Sequence, residues 1–80
     1  MSYRGEWAKG SRHGLGKLTE ASGDVYIGQF KDNRKHSLGR LMLASGQVRD
    51  ATWSKDSETT AATGLSDVIS RIDKGIVIYE

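Results

Sequence analysis

The chain has no cysteine in its 80 residues. Disulfides, thiolate chemistry and any Cys-based zinc site are therefore excluded, and the composition suits a reducing, cytoplasmic setting. Long apolar runs are missing too. The longest unbroken aliphatic or aromatic stretch is IVIY at residues 76–79, and the N-terminus, MSYRGEW, is polar. Neither a secretory signal nor a membrane-spanning helix is expected from such a pattern. Large side chains are scarce: 8 % of residues are aromatic and 36 % hydrophobic, against 28 % charged and 10 glycines. A chain this short forms one domain at most and buries only a little more than about 60 % of the surface it exposes when unfolded. The core must be thin, and extended, locally paired structure fits better than a conventional globular interior.

The formal net charge of +2 conceals an asymmetry. Residues 1–49 carry nine Lys/Arg against four Asp/Glu, whereas residues 50–80 carry three against six. An acidic partner would dock on the first part.

What the chain does have is a period. Shifting it by 23 residues superposes Tyr3 on Tyr26, Gly5 on Gly28, Trp7 on Phe30, His13 on His36, Gly16 on Gly39, Leu18 on Leu41, Gly23 on Gly46 and Val25 on Val48. Self-similarity of this length marks a repeat architecture. A second shift brings Trp53 under Trp7 and Phe30, but Arg49 and Ala51 replace the tyrosine and first glycine. This third copy is degenerate, and either a complete hairpin or a lone edge strand is compatible with it.

The period decides what the glycines do. A phosphate-binding loop requires GxxxxGK followed by Ser or Thr, but Ser11 stands five residues before Gly16 and Leu18 follows Lys17. A dinucleotide GxGxxG fails equally, because Thr19 occupies the last position. Tyr-x-Gly-x-Trp/Phe instead has the period of a strand and places its aromatics and glycine on one face. A mid-strand glycine implies close approach, for which a ring from a neighbouring rung is the natural occupant. AKGSRHG and KDNRKHS lie between the strands and are rich in turn formers, with Gly10, Gly14 and Asn33 suited to positive φ. Each unit reads as a β-hairpin.

YRGEWAKGSRHGLGKL and YIGQFKDNRKHSLGRL resemble MORN repeats, whose pattern is Tyr-x-Gly-x-Trp/Phe, a turn, His-Gly-x-Gly and an apolar residue. The resemblance covers residues 3–56, and Ser37 departs from it by replacing a glycine. The expected fold is mainly β: an antiparallel hairpin meander over residues 1–56, with Tyr3, Gly5, Trp7, Gly16, Leu18, Tyr26, Gly28, Phe30, Gly39, Leu41 and Trp53 as structural repeat residues. The resemblance implies a non-catalytic scaffold or adaptor that binds another protein in the cytoplasm or at a membrane or cytoskeletal surface. It also implies two alternatives: a membrane-surface module for acidic phospholipid such as phosphoinositide, and an accessory region of a larger enzyme, since MORN arrays occur fused to lipid kinases and a histone-lysine methyltransferase.

No catalytic, metal or cofactor site is expected. His13 and His36 belong to adjacent units, which places equivalent atoms roughly 9.5 Å apart if each unit contributes two strands, too far to share a metal about 2.0 Å from each nitrogen. They read as turn histidines bonded to local backbone. Glu6, Glu20, Asp24 and Asp32 are scattered, and no base stands beside a nucleophile. The repeat does align Arg12 with Lys35 and Lys17 with Arg40, two basic columns joined by Lys9, Lys31 and Arg34 near the turns. Arg12, Lys17, Lys35 and Arg40 are the candidate anionic-lipid residues. Nucleic acid is not an expected partner, because the aromatics occupy core-type positions and leave no stacking platform.

By alternation, Leu15, Val25, Ile27, Leu38 and Met42 lie on the opposite face, interspersed with Arg4, Glu6, Lys17, Gln29 and Arg40. Such a strip needs a cover, either the chain's own tail or a partner. Leu15, Ile27, Leu38 and Met42, with Ile76 and Ile78, are accordingly the candidate protein-binding residues. Residues 57–80 read as a separate segment. SKDSETTAATG has the composition of a linker, Leu65, Val68, Ile69 and Ile72 have the spacing of a short amphipathic helix, and IVIYE follows Gly75 as a strand. That strand is expected to close the array or to pair with a second copy in a homodimer.

Overall fold

The computed structural model describes residues 1–62, 69 and 70. Six strands, β1 (Ser2–Ala8), β2 (Ser11–Thr19), β3 (Val25–Lys31), β4 (Arg34–Met42), β5 (Val48–Ser54) and β6 (Ser57–Ala61), form one antiparallel sheet in chain order. The expected β meander is what forms.

Two kinds of turn alternate. Within each unit the strands join through two residues that both have positive φ: Lys9 and Gly10, Asp32 and Asn33, Lys55 and Asp56. Such loops have the twist that antiparallel neighbours require. Between units, the five-residue links at 20–24 and 43–47 each carry a glycine in the left-handed region, Gly23 at φ 97° and Gly46 at φ 99°. Each link closes on itself, with Glu20 N–H donating to Asp24 O and Leu43 N–H donating to Gln47 O, both at 2.8 Å.

The two-residue turns correct the expected hairpin boundaries. Strands β2 and β4 begin at Ser11 and Arg34, so His13 and His36 lie in strands rather than in turns. The sheet also runs on to Ala61. Residues 57–61, expected as linker, form β6, and the degenerate third unit closes as a hairpin. Its β-branched Thr59 and Thr60 suit a strand, and Lys55 and Asp56 supply the same turn as the earlier units. The helix expected around residues 65–72 and the strand at 76–79, with Ile76 and Ile78, lie outside the described residues apart from Ile69 and Ser70.

The core sits on the aromatic face. Leu18, Tyr26, Phe30, Ala51 and Trp53 are buried together, with Tyr3 and Leu41 packed against them. A Cβ on Gly16 would overlap the ring of Tyr3, and one on Gly39 the ring of Tyr26. The ring over each of these glycines thus comes from the same unit, not from a neighbouring rung, and Gly5 and Gly28 instead face the Cα atoms of Gly16 and Gly39. On the other face Ile27 and Ile69 are buried together, flanked by Val25, Met42 and Ala62.

Candidate functional site

The aromatic face is packed within itself except at Trp7, which is exposed. Its rings run edge to face in one series: Trp7 to Tyr3 at 5.0 Å, Tyr3 to Phe30 at 5.2 Å, Phe30 to Tyr26 at 5.1 Å and Tyr26 to Trp53 at 5.7 Å. This is the favourable arrangement for aromatic quadrupoles. The tyrosine of one unit therefore seats on the Trp or Phe of the next. Tyr3 Oη donates to Glu6 O at 2.8 Å and Tyr26 Oη to Gln29 O at 2.9 Å, so each ring buries its body and keeps a partner for its hydroxyl. Burial pushes the Tyr3 phenol up to about 12, aided by the Glu6 carboxylate and opposed by Arg12. Burial raises Tyr26 further.

The basic residues fall into two sets. Arg12 lies 6.0 Å from the Tyr3 ring centre and 5.9 Å from that of Phe30, and Lys35 lies 5.7 Å from Tyr26 and 5.9 Å from Trp53. Both cations thus cap the aromatic face. Lys17 and Arg40 stand opposite Ile27 in the sheet register and share its face, with Arg40 in a two-bond ion pair to Asp50 at 2.6 and 2.8 Å. That pair lowers the Asp50 carboxyl below its ordinary range through the Arg40 hydrogen bond, and raises Arg40 in turn. The four candidate lipid residues lie on opposite faces and do not form one surface.

Arg12 and Lys35 also join the units. Arg12 N–H donates to Asn33 Oδ1 at 2.8 Å, its guanidinium donates to Asn33 O at 2.9 Å, and Asn33 N–H returns a bond to Arg12 O at 3.1 Å. One repeat later Lys35 N–H donates to Asp56 Oδ1 at 2.8 Å, Asp56 N–H donates to Lys35 O at 3.3 Å, and the ammonium lies 3.8 Å from the same carboxylate. A turn residue of each unit thereby ties the strand of the unit before it. The alignment of Asn33 with Asp56 at 23 residues was visible in the sequence, but their contact with Arg12 and Lys35 was not.

Three surface features are open. The tips of the second and third hairpins form a groove of about 450 Å³ lined by Lys31, Asp32, Arg34, Lys35, His36, Ser54 and Lys55. A second groove, of about 420 Å³, shares Lys31 and His36 with it and reaches His13. On the Ile27 face, Leu15 and Leu38 are each 38 % exposed, while Ile27 is 4 % exposed beneath Ile69 and Met42 packs on the same cluster. Of the candidate protein-binding residues described, Leu15 and Leu38 are thus presented to solvent and Ile27 is covered. Among the described residues, no three His, Asp or Glu side chains converge as a metal site.

A repeated tyrosine-over-glycine hairpin, stacked ring on ring, defines a class of β-repeat module. The MORN repeat family model matches residues 3–25 and 26–48, more than half of the chain, and the chain belongs to that family. MORN repeats are non-catalytic modules that generally serve interaction with proteins or membranes. No curated protein matches the chain.

Proposed function

We propose that this chain is a scaffold or adaptor module that binds another protein through the Ile27 face of its sheet, at Leu15 and Leu38. The observation that carries the reading is the exposure of two leucines at one repeat position, two strands apart, on the face where Ile27 is buried with Ile69 and where Val48 is exposed as well. Over Tyr3, Phe30, Tyr26 and Trp53 the aromatic face offers less, because those rings pack on one another and are capped by Arg12 and Lys35. Crosslinking from a reactive group at position 15 tests the reading: Leu38→Asp should abolish the adduct while circular dichroism stays unchanged. An adduct that survives Leu38→Asp argues against this face.

A second reading rests on the hairpin-tip groove, whose lining includes Lys31, Arg34, Lys35, His36 and Lys55 with Asp32 as its one acidic residue. Such a lining suits the phosphate of an acidic phospholipid. Sedimentation with anionic vesicles should then fall steeply with salt and with Arg34→Glu. Binding that ignores both changes would remove this reading.

A further inference from the structure

The two ends of the ring series differ. Phe30 and Trp53 are 3 % and 6 % exposed because each receives the tyrosine of the preceding unit, whereas Trp7, at the same repeat position, is 47 % exposed. Among the described residues, Trp7 lies on β1, an edge strand with one sheet neighbour. Edge strands present unpaired N–H and C=O groups that invite another strand unless something blocks them.

Strand β1 has a bulge between Gly5 and Trp7 on the side that pairs with β2. A bulge can end pairing, but β3 has the same irregularity between Gly28 and Phe30 toward β4 and still pairs without interruption along its other edge, with Gly14 opposite Phe30, Leu15 opposite Gln29 and Gly16 opposite Gly28. The outer edge of β1, unpaired among the described residues, is the repeat equivalent of that uninterrupted edge. It is built to pair.

The charges along β1 indicate with what. Arg4 and Glu6 flank Gly5 symmetrically, as do Tyr3 and Trp7. Antiparallel pairing of β1 with a second β1 about Gly5 would set Tyr3 opposite Trp7 twice over, and Arg4 opposite Glu6 of the partner twice over, with the Glu6 carboxylate also accepting from Leu15 N–H at 2.8 Å. Opposite-charge and aromatic pairs across strands both stabilise a sheet. The geometry points to a second copy of this chain as the occupant: a two-fold dimer in which β1 joins β1 into a continuous twelve-stranded sheet, with Trp7 covered at the junction. The other edge of the described sheet is a poorer candidate, because β6 reads SETTA and has no aromatic or large aliphatic residue.

Light scattering during size-exclusion chromatography, from micromolar to near-millimolar chain, should show a monomer–dimer equilibrium. Arg4→Glu replaces two attractions with two repulsions and should raise the dissociation constant about tenfold or more. Adding Glu6→Gln, which keeps an acceptor for Leu15 N–H as Gln29 does for Leu38, should recover part of that loss. Trp7 fluorescence, isolated by Trp53→Phe, should lose acrylamide quenching as the dimer forms. A monomer at every concentration overturns the proposal. So does a dimer indifferent to Arg4→Glu but lost with Thr60→Lys, or growth into open filaments, which would signal head-to-tail pairing of β1 with β6.

Discussion

The first and second repeats have nearly the same pattern but occupy different environments. Tyr26 is 1 % exposed, with Phe30 on one side and Trp53 on the other, whereas Tyr3 is only half-buried beside an exposed Trp7. Local geometry is shared, down to the tyrosine hydroxyl bonding a carbonyl three residues on. Burial is not shared, because it depends on how many units lie on each side. Pattern sets the shape of a repeat, and neighbours set its stability.

The largest test of this difference removes the rings. Tyr26→Ala should cost about 3–5 kcal/mol, the usual range for a buried aromatic, and Tyr3→Ala about 2 kcal/mol. Urea unfolding measures both, and equal losses would show that the outer rung is as well packed as the inner one.

The next test concerns one ion pair that the second unit has with the third. Asp50→Asn should lower stability by about 1 kcal/mol at neutral pH, discounted because the pair is partly solvated. The folded carboxyl titrates below its ordinary value of 3.8 and the unfolded one near it. The contribution is therefore present above about pH 4 and disappears as pH falls through the folded value, so parent and variant should converge in acid.

A smaller effect separates Gly14 from Ser37, which share a repeat position and have φ of 74° and 58°. A side chain is disfavoured there, so Ser37→Gly should stabilise the chain by about 1 kcal/mol, read as a rise in Tm. Gly14→Ala should do the reverse, with the added Cβ meeting the Glu6 carboxylate. The last effect is alkaline. With the folded Tyr3 phenol at about 12 against an ordinary 10.0, its contribution holds below pH 10 and fades as pH rises toward 12. Tyrosinate absorbance followed beside circular dichroism should show ionisation lagging behind that of free tyrosine.

Much of this architecture could be read from the residues. The 23-residue period, the alternation of Tyr, Gly and Trp/Phe and the second-face set of Val25, Ile27 and Met42 all follow from side-chain spacing, which a strand converts directly into faces. The end of the sheet was harder to read, because β6 has polar threonines in place of the repeat pattern, and it forms by pairing with β5 rather than through any apolar signal of its own. The candidate site was legible only in part. Leu15 and Ile27 are both apolar residues on one face, and nothing in their own sequence neighbourhood says that Ile69, 42 residues further on, packs on one and leaves the other exposed.

By itself, then, the sequence determined the repeat and the strand faces, since these depend on side-chain spacing within one unit. Tertiary structure alone decided that Arg12 and Lys35 lie over rings while Lys17 and Arg40 lie on the opposite face, that turn residues Asn33 and Asp56 tie successive units, and that Trp7 stays uncovered. Those outcomes depend on which unit stands beside which, and a side chain's own spacing carries no record of its neighbour across the sheet.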